Sequence, residues 1–159
     1  VAPTPRNGSA ANRRVIASYS CQYLVGLQGY IEPYNIYDPA SNKHIGECGM
    51  SVSPRNQMLH NNPDQAIALD VWLYDKVDPR DNLSNTRILL SDYANDRDFA
   101  QALTLERDGT VETLLARPGM VFSMEGRNLT LEGKIADVEY DDEGIFRSLK
   151  LQLNVLGKA

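Results

Sequence analysis

No stretch of this 159-residue sequence approaches eighteen consecutive apolar residues, so none of it is expected to form a membrane-spanning helix. Neither the P-loop spacing nor a dinucleotide-binding G-x-G-x-x-G occurs, which removes the two common glycine cradles for phosphate. No G-x-S-x-G elbow presents a serine nucleophile, and only two histidines, His44 and His60, could serve as a general base. Cysteine is scarce too. Cys21 and Cys48 are the whole complement, too few for a disulfide framework, although one bridge between them stays open beside two buried free thiols. There is no C-x-x-C pair, and His44 and Cys48 on one strand would stand about 13 Å apart, whereas zinc ligands must meet within about 2.3 Å of one ion. Basic residues are outnumbered 21 to 16 by acidic ones, leaving a net charge of −5. That balance argues against nucleic acid as a partner, because nonspecific binding needs a phosphate-neutralising basic face. The one basic cluster is Arg6, Arg13 and Arg14.

What is present is ordinary globular material: 42% hydrophobic and 23% charged residues. A chain of this length folds as one domain by default and buries roughly two thirds of its unfolded surface. The opening VAPTPRNGSAAN has the Pro, Gly, Ser, Ala and Asn content of a linker. Residues 1–13 are therefore expected to be a flexible linker or tail and residues 14–157 a single β-rich domain, as in a processed product or a piece of a longer protein. A tether of that kind slightly favours an extracytoplasmic location. The sequons at Asn7, Asn82 and Asn128 would matter only in a eukaryotic secreted protein.

The domain reads as strands. Residues 15–25 alternate with period two, placing Val15, Ala17, Tyr19, Cys21 and Tyr23 on one face. Residues 30–37 form a second extended run whose Pro33 cannot donate to a ladder, which marks an edge strand or a bulge. A turn at 38–43 leads to a third strand at 44–53, and 54–65 reads as a loop. Residues 66–74 are a central strand: Ile67, Leu69, Val71 and Leu73 point one way, Asp70, Trp72 and Tyr74 the other. A short strand follows at 87–90, then Ser91 as an N-cap for one helix over 93–103. Four extended runs close the chain at 110–115, 120–124, 129–140 and 145–155. In the third of these the apolar parity flips between Ile135 and Val138, which requires a bulge. Strands that do not alternate with helices predict a mainly β fold, an antiparallel β-sandwich or open barrel of about eight strands with one short helix.

Two groups of residues stand out as candidate sites. Asp75, Asp78, Asp81 and Asn82 place several oxygen ligands on one irregular loop, as calcium requires, although the spacing is not that of an EF-hand and the same residue types build ordinary turns. Five of the eight tyrosines, Tyr19, Tyr23, Tyr30, Tyr34 and Tyr37, crowd into the first two strands. Exposed, Tyr30, Tyr34 and Tyr37 with Trp72 and Tyr74 would make a ligand or protein interface; turned inward, they would only line a sheet. Ser53, Arg55, His60 and Asn61 loosely resemble the phosphothreonine-reading residues of forkhead-associated domains, but the S-x-x-H spacing and the downstream Asn-Gly pair are missing.

The blocks Gly46-Glu47-Cys48-Gly49 and Val71-Trp72-Leu73-Tyr74-Asp75-Lys76, with Asp78 and Arg80 beyond, resemble an uncharacterised group of bacterial linker-tethered β-rich domains. The resemblance covers the middle third of the chain and implies a tethered bacterial domain without a known activity. The expectation is thus a non-catalytic module for protein–protein interaction or assembly, its partner another protein or its own copies. It would carry no cofactor apart from the calcium the acidic loop leaves open. A carbohydrate- or calcium-binding module and a hydrolase with scattered carboxylates are the alternatives.

Overall fold

A computed structural model describes residues 13–76 and 85–158, and all structural statements concern these. They form two sheets packed face to face. Strands β1 (Arg13–Leu24), β9 (Phe146–Lys158), β8 (Thr130–Tyr140) and β7 (Val121–Glu125) lie side by side in that order. The second sheet runs β2 (Ile31–Tyr37), β3 (His44–Val52), β4 (Ala68–Asp75), β5 (Asn85–Leu90) and β6 (Thr110–Leu115). The chain is a β-sandwich with no closed barrel. Alternation drives the assembly: Cys21, Tyr23, Leu131, Ile135, Leu149, Leu151, Leu153 and Val155 from the first sheet meet Ile36, Cys48, Met50, Leu69, Val71, Leu73 and Leu89 from the second.

The register bears out two local expectations. β8 slips against β9 between Ile135 and Asp137, the bulge that the parity flip demands. β2 is an edge strand, and Asn35, which has the same parity as Pro33, turns its carbonyl away from the ladder toward Tyr19. The missing proline N–H therefore falls on the unpaired side, where it costs no ladder bond.

Four features differ from expectation. β1 and β2, whose crowded tyrosines suggest a single hairpin, are not one: the 25–30 turn, with Gly26 and Gly29 at positive φ, carries the chain from one sheet to the other. β5 and β6 pair in parallel, in register Asn85 with Thr110 through Leu90 with Leu115. The expected helix over 93–103 is broken into α2 (Asp92–Asp96) and α3 (Ala100–Thr104) by Asp98, whose φ is +60°. The polar loop at 54–65 holds one helical turn, α1 (Asn56–Leu59), so three short helices stand where one was expected. Ser91 does cap α2, its hydroxyl accepting from the Ala94 amide.

The helices serve a second, smaller core. Ala68, Ile88 and Leu90 on the outer face of the five-stranded sheet, with Ile67 just before β4, are buried with Ala94, Leu103 and Ile145, against Tyr93, Phe99 and Val111. Ile67, expected to share a face with Leu69, Val71 and Leu73, instead joins this second core, because it precedes β4 and lies outside the strand's alternation. Of the expected linker, residues 1–12 lie outside the described residues, and Arg13 already belongs to β1, where its guanidinium donates to Thr130 Oγ1 and to the Gly126 and Arg127 carbonyls.

Candidate functional site

The tyrosines predicted as an interface are largely spent inside the molecule. β1 and β2 are the neighbouring edges of the two sheets, and no ladder joins them. Side chains close that seam instead. Glu32 Oε1 accepts from the Gln22 amide at 2.9 Å and the Tyr30 hydroxyl at 2.8 Å, and Oε2 accepts from the Tyr34 hydroxyl at 3.0 Å. Tyr34 also reaches the Ser20 carbonyl at 2.9 Å, and Tyr19 the Asn35 carbonyl at 3.0 Å. The Tyr19 and Tyr34 rings stack with centroids 4.5 Å apart, and Tyr23 meets Tyr30 edge-on. Burial first, and the Glu32 carboxylate second, raise the Tyr30 hydroxyl above its ordinary 10.0 and push Tyr34 to about 12. Of Tyr30, Tyr34 and Tyr37, Tyr37 alone is exposed, with His44 against its ring.

Trp72 and Tyr74 are half-buried on the outer face of β4. The indole lies over Gly49 of β3: a Cβ built there would meet the ring at 2.9 Å and collide with the Glu32 carbonyl. The chain itself thus covers one face of Trp72, because the residue across the ladder has no side chain. Beside it, Asp70 is buried and held by the Arg107 guanidinium at 2.5 Å, from the segment that follows α3. Burial raises the Asp70 carboxyl above its ordinary range despite that guanidinium.

Of the proposed calcium ligands, Asp78, Asp81 and Asn82 lie outside the described residues. Asp75 is buried at the end of β4, where Oδ2 accepts from the amides of Asn128 (2.7 Å) and Leu129 (3.0 Å) in the β7–β8 turn. It fastens one sheet's hairpin to the other sheet's central strand. Among the described residues no group of three His, Cys, Asp or Glu side chains is placed to hold a metal ion. Cys21 and Cys48 face the main core from β1 and β3 as free thiols, and burial pushes both to about 12. The remaining polar candidates separate. Ser53 is buried beside Asp70, Arg55 pairs with Glu106, His60 bonds to Gln65, and Asn61 is exposed.

What sequence reasoning missed is an apolar end. Among the described residues, four of the nine exposed large hydrophobic side chains fall within residues 24–31: Leu24, Val25, Leu27 and Ile31, at 45, 47, 43 and 59% exposure. They follow one another where the chain changes sheets: Leu24 points outward from the end of β1, Ile31 points outward from the start of β2 on the other sheet, and Val25 and Leu27 stand on the turn between them. The turn is held rather than loose, since Val25 donates to the Arg147 carbonyl, Gly26 to the Asp64 carbonyl, and Gln28 to the Asp64 carboxylate. The sequence did show a signal: LVGL places three large apolar residues in a glycine turn that polar residues ordinarily build. No family model, no curated protein and no solved structure matches this chain.

Proposed function

We propose that the protein is a non-catalytic β-sandwich module that docks another protein on the anchored turn that exposes Val25 and Leu27, with Leu24 and Ile31 flanking it on the two sheets. The observation that carries this reading is the concentration of exposed apolar side chains on one backbone-anchored turn. Scattered single hydrophobics are normal on a surface; two large ones on one anchored turn mark a place where a partner can displace water. Ordering is already built in, because three hydrogen bonds fix the turn before any partner arrives, and less conformational entropy is lost on docking.

The experiment is site-specific photo-cross-linking from position 27 in the native source, paired with light scattering on the purified protein and on a Val25→Ser/Leu27→Ser variant. Both side chains are exposed, so the variant should melt like the wild type. Position 27 should capture a defined partner protein, and the variant should lose it. A strict monomer whose position 27 captures nothing in its native source would refute the proposal.

A further inference from the structure

The outer face of the four-stranded sheet carries a feature that the docking end does not use. Two complete cross-strand rows run over it at right angles to the strands. In one, Ser123 of β7 stands opposite Glu132 of β8, which faces Asn154 of β9, which faces Ser18 of β1. In the next, Val121, Lys134, Gln152 and Ser20 follow in the same order. All eight side chains are exposed. Between and beside the rows the sheet is hollowed into a depression of about 540 Å³ lined by residues of β7, β8 and β9. A smaller one of about 220 Å³ continues it onto β1 and shares Gln152 and Asn154 with the first. Four strands at their usual spacing make this trough about 14 Å long.

The chemistry of the walls selects a ligand class. Gln152 and Asn154 each offer a donor and an acceptor on one planar amide, and Ser18, Ser20 and Ser123 offer hydroxyls that rotate to suit either role. Asn154 Oδ1 is already oriented by the Ser18 hydroxyl at 2.7 Å. Lys134 offsets one of the two carboxylates in the lining, Glu125 and Glu132, and the one negative charge left over turns away a polyanion. Val121, 72% exposed, and Leu156 supply apolar contact at the rim. A length set by four strands, alternating donors and acceptors and apolar contacts fit an uncharged chain of linked rings that bears hydroxyls on its edges and C–H groups on its faces.

We infer that this trough binds a linear, uncharged oligosaccharide. The claim is separate from protein docking, since the trough and the 24–31 turn share no residue.

The test is titration of the isotope-labelled full chain with cellohexaose, xylohexaose, maltohexaose and chitohexaose, followed by amide chemical shifts and calorimetry. One or more of these glycans should bind at millimolar or lower concentration and shift amides of β7, β8, β9 and β1 around the two rows. Gln152→Ala/Asn154→Ala should weaken binding at least about tenfold while leaving the melting temperature unchanged, and Val25→Ser/Leu27→Ser should bind as the wild type does. Absence of binding to every one of the four glycans overturns the inference. So does binding that the Gln152/Asn154 variant retains, or a preference for heparin or an extended peptide over all four glycans.

Discussion

At the end of β4 the Asp75 carboxylate takes two amide hydrogens from a turn more than fifty residues away in the sequence. Both amides would otherwise be buried donors without partners, and a charged acceptor strengthens such bonds to about 1.5–3 kcal/mol each. Gly126 makes room for the arrangement, since a Cβ there would meet Asp75 Oδ2 at 2.7 Å. Asp75→Ala is therefore expected to destabilise the fold by about 3 kcal/mol in urea denaturation, and Asp75→Asn, which keeps a carbonyl acceptor, by clearly less. Equal losses in the two variants would show that the amide bonds are not what Asp75 contributes. An acidic side chain followed by Asp, Pro and Asn reads as a loop ligand only because its true partners, Asn128 and Leu129, leave no trace near it in the sequence.

Strands and helices differ in how visible they were beforehand. The β8 bulge could be read because one extra residue moves every later apolar side chain to the other face, and Pro33 could be read because a missing donor has few permitted places. The pairing of β1 with β9 could not, since Cys21 meets Leu151 with nearly the whole chain between them. The break between α2 and α3 was equally hidden: Asp98 adopts a left-handed φ that Asp tolerates but does not announce. The segment after α3 is tied to β4 by the Asp70–Arg107 pair. A buried carboxylate paired with a partly buried guanidinium stabilises little once desolvation is counted, yet removing the guanidinium leaves the carboxylate stranded. Arg107→Met is accordingly expected to cost about 3 kcal/mol, and Asp70→Leu/Arg107→Met to recover most of it, measured by urea midpoints of both variants. A double variant no more stable than Arg107→Met alone would mean that the pair is not what holds this segment to the sheet.

The whole sandwich is closed at its two sides by side chains reaching unpaired strand edges. On one side Arg87 and Asn85 of β5 donate to the Ser123 and Glu125 carbonyls of β7, at 3.2 and 3.1 Å. On the other, Glu32 and the tyrosines join β1 to β2, and there the closure depends on hydroxyl protons. Ionising Tyr34 removes the donor to both Ser20 and Glu32 and sets a phenolate against a carboxylate. Native pKa values raised above those of the unfolded chain mean that the native state holds its protons longer. The stability they contribute is complete below the unfolded values, 9.0 for Cys21 and Cys48 and 10.0 for the tyrosines, and is lost as pH climbs toward about 12. The urea midpoint should therefore hold level up to about pH 9 and fall steeply beyond it. Hydrogen exchange at the Gln22 amide should quicken, relative to core amides of β9, before global unfolding. Tyr34→Phe should expose that amide already at neutral pH and flatten part of the alkaline fall. A midpoint that stays constant to pH 12, or a Gln22 amide indifferent to the loss of the Tyr34 hydroxyl, would show that the seam is held by ring packing alone.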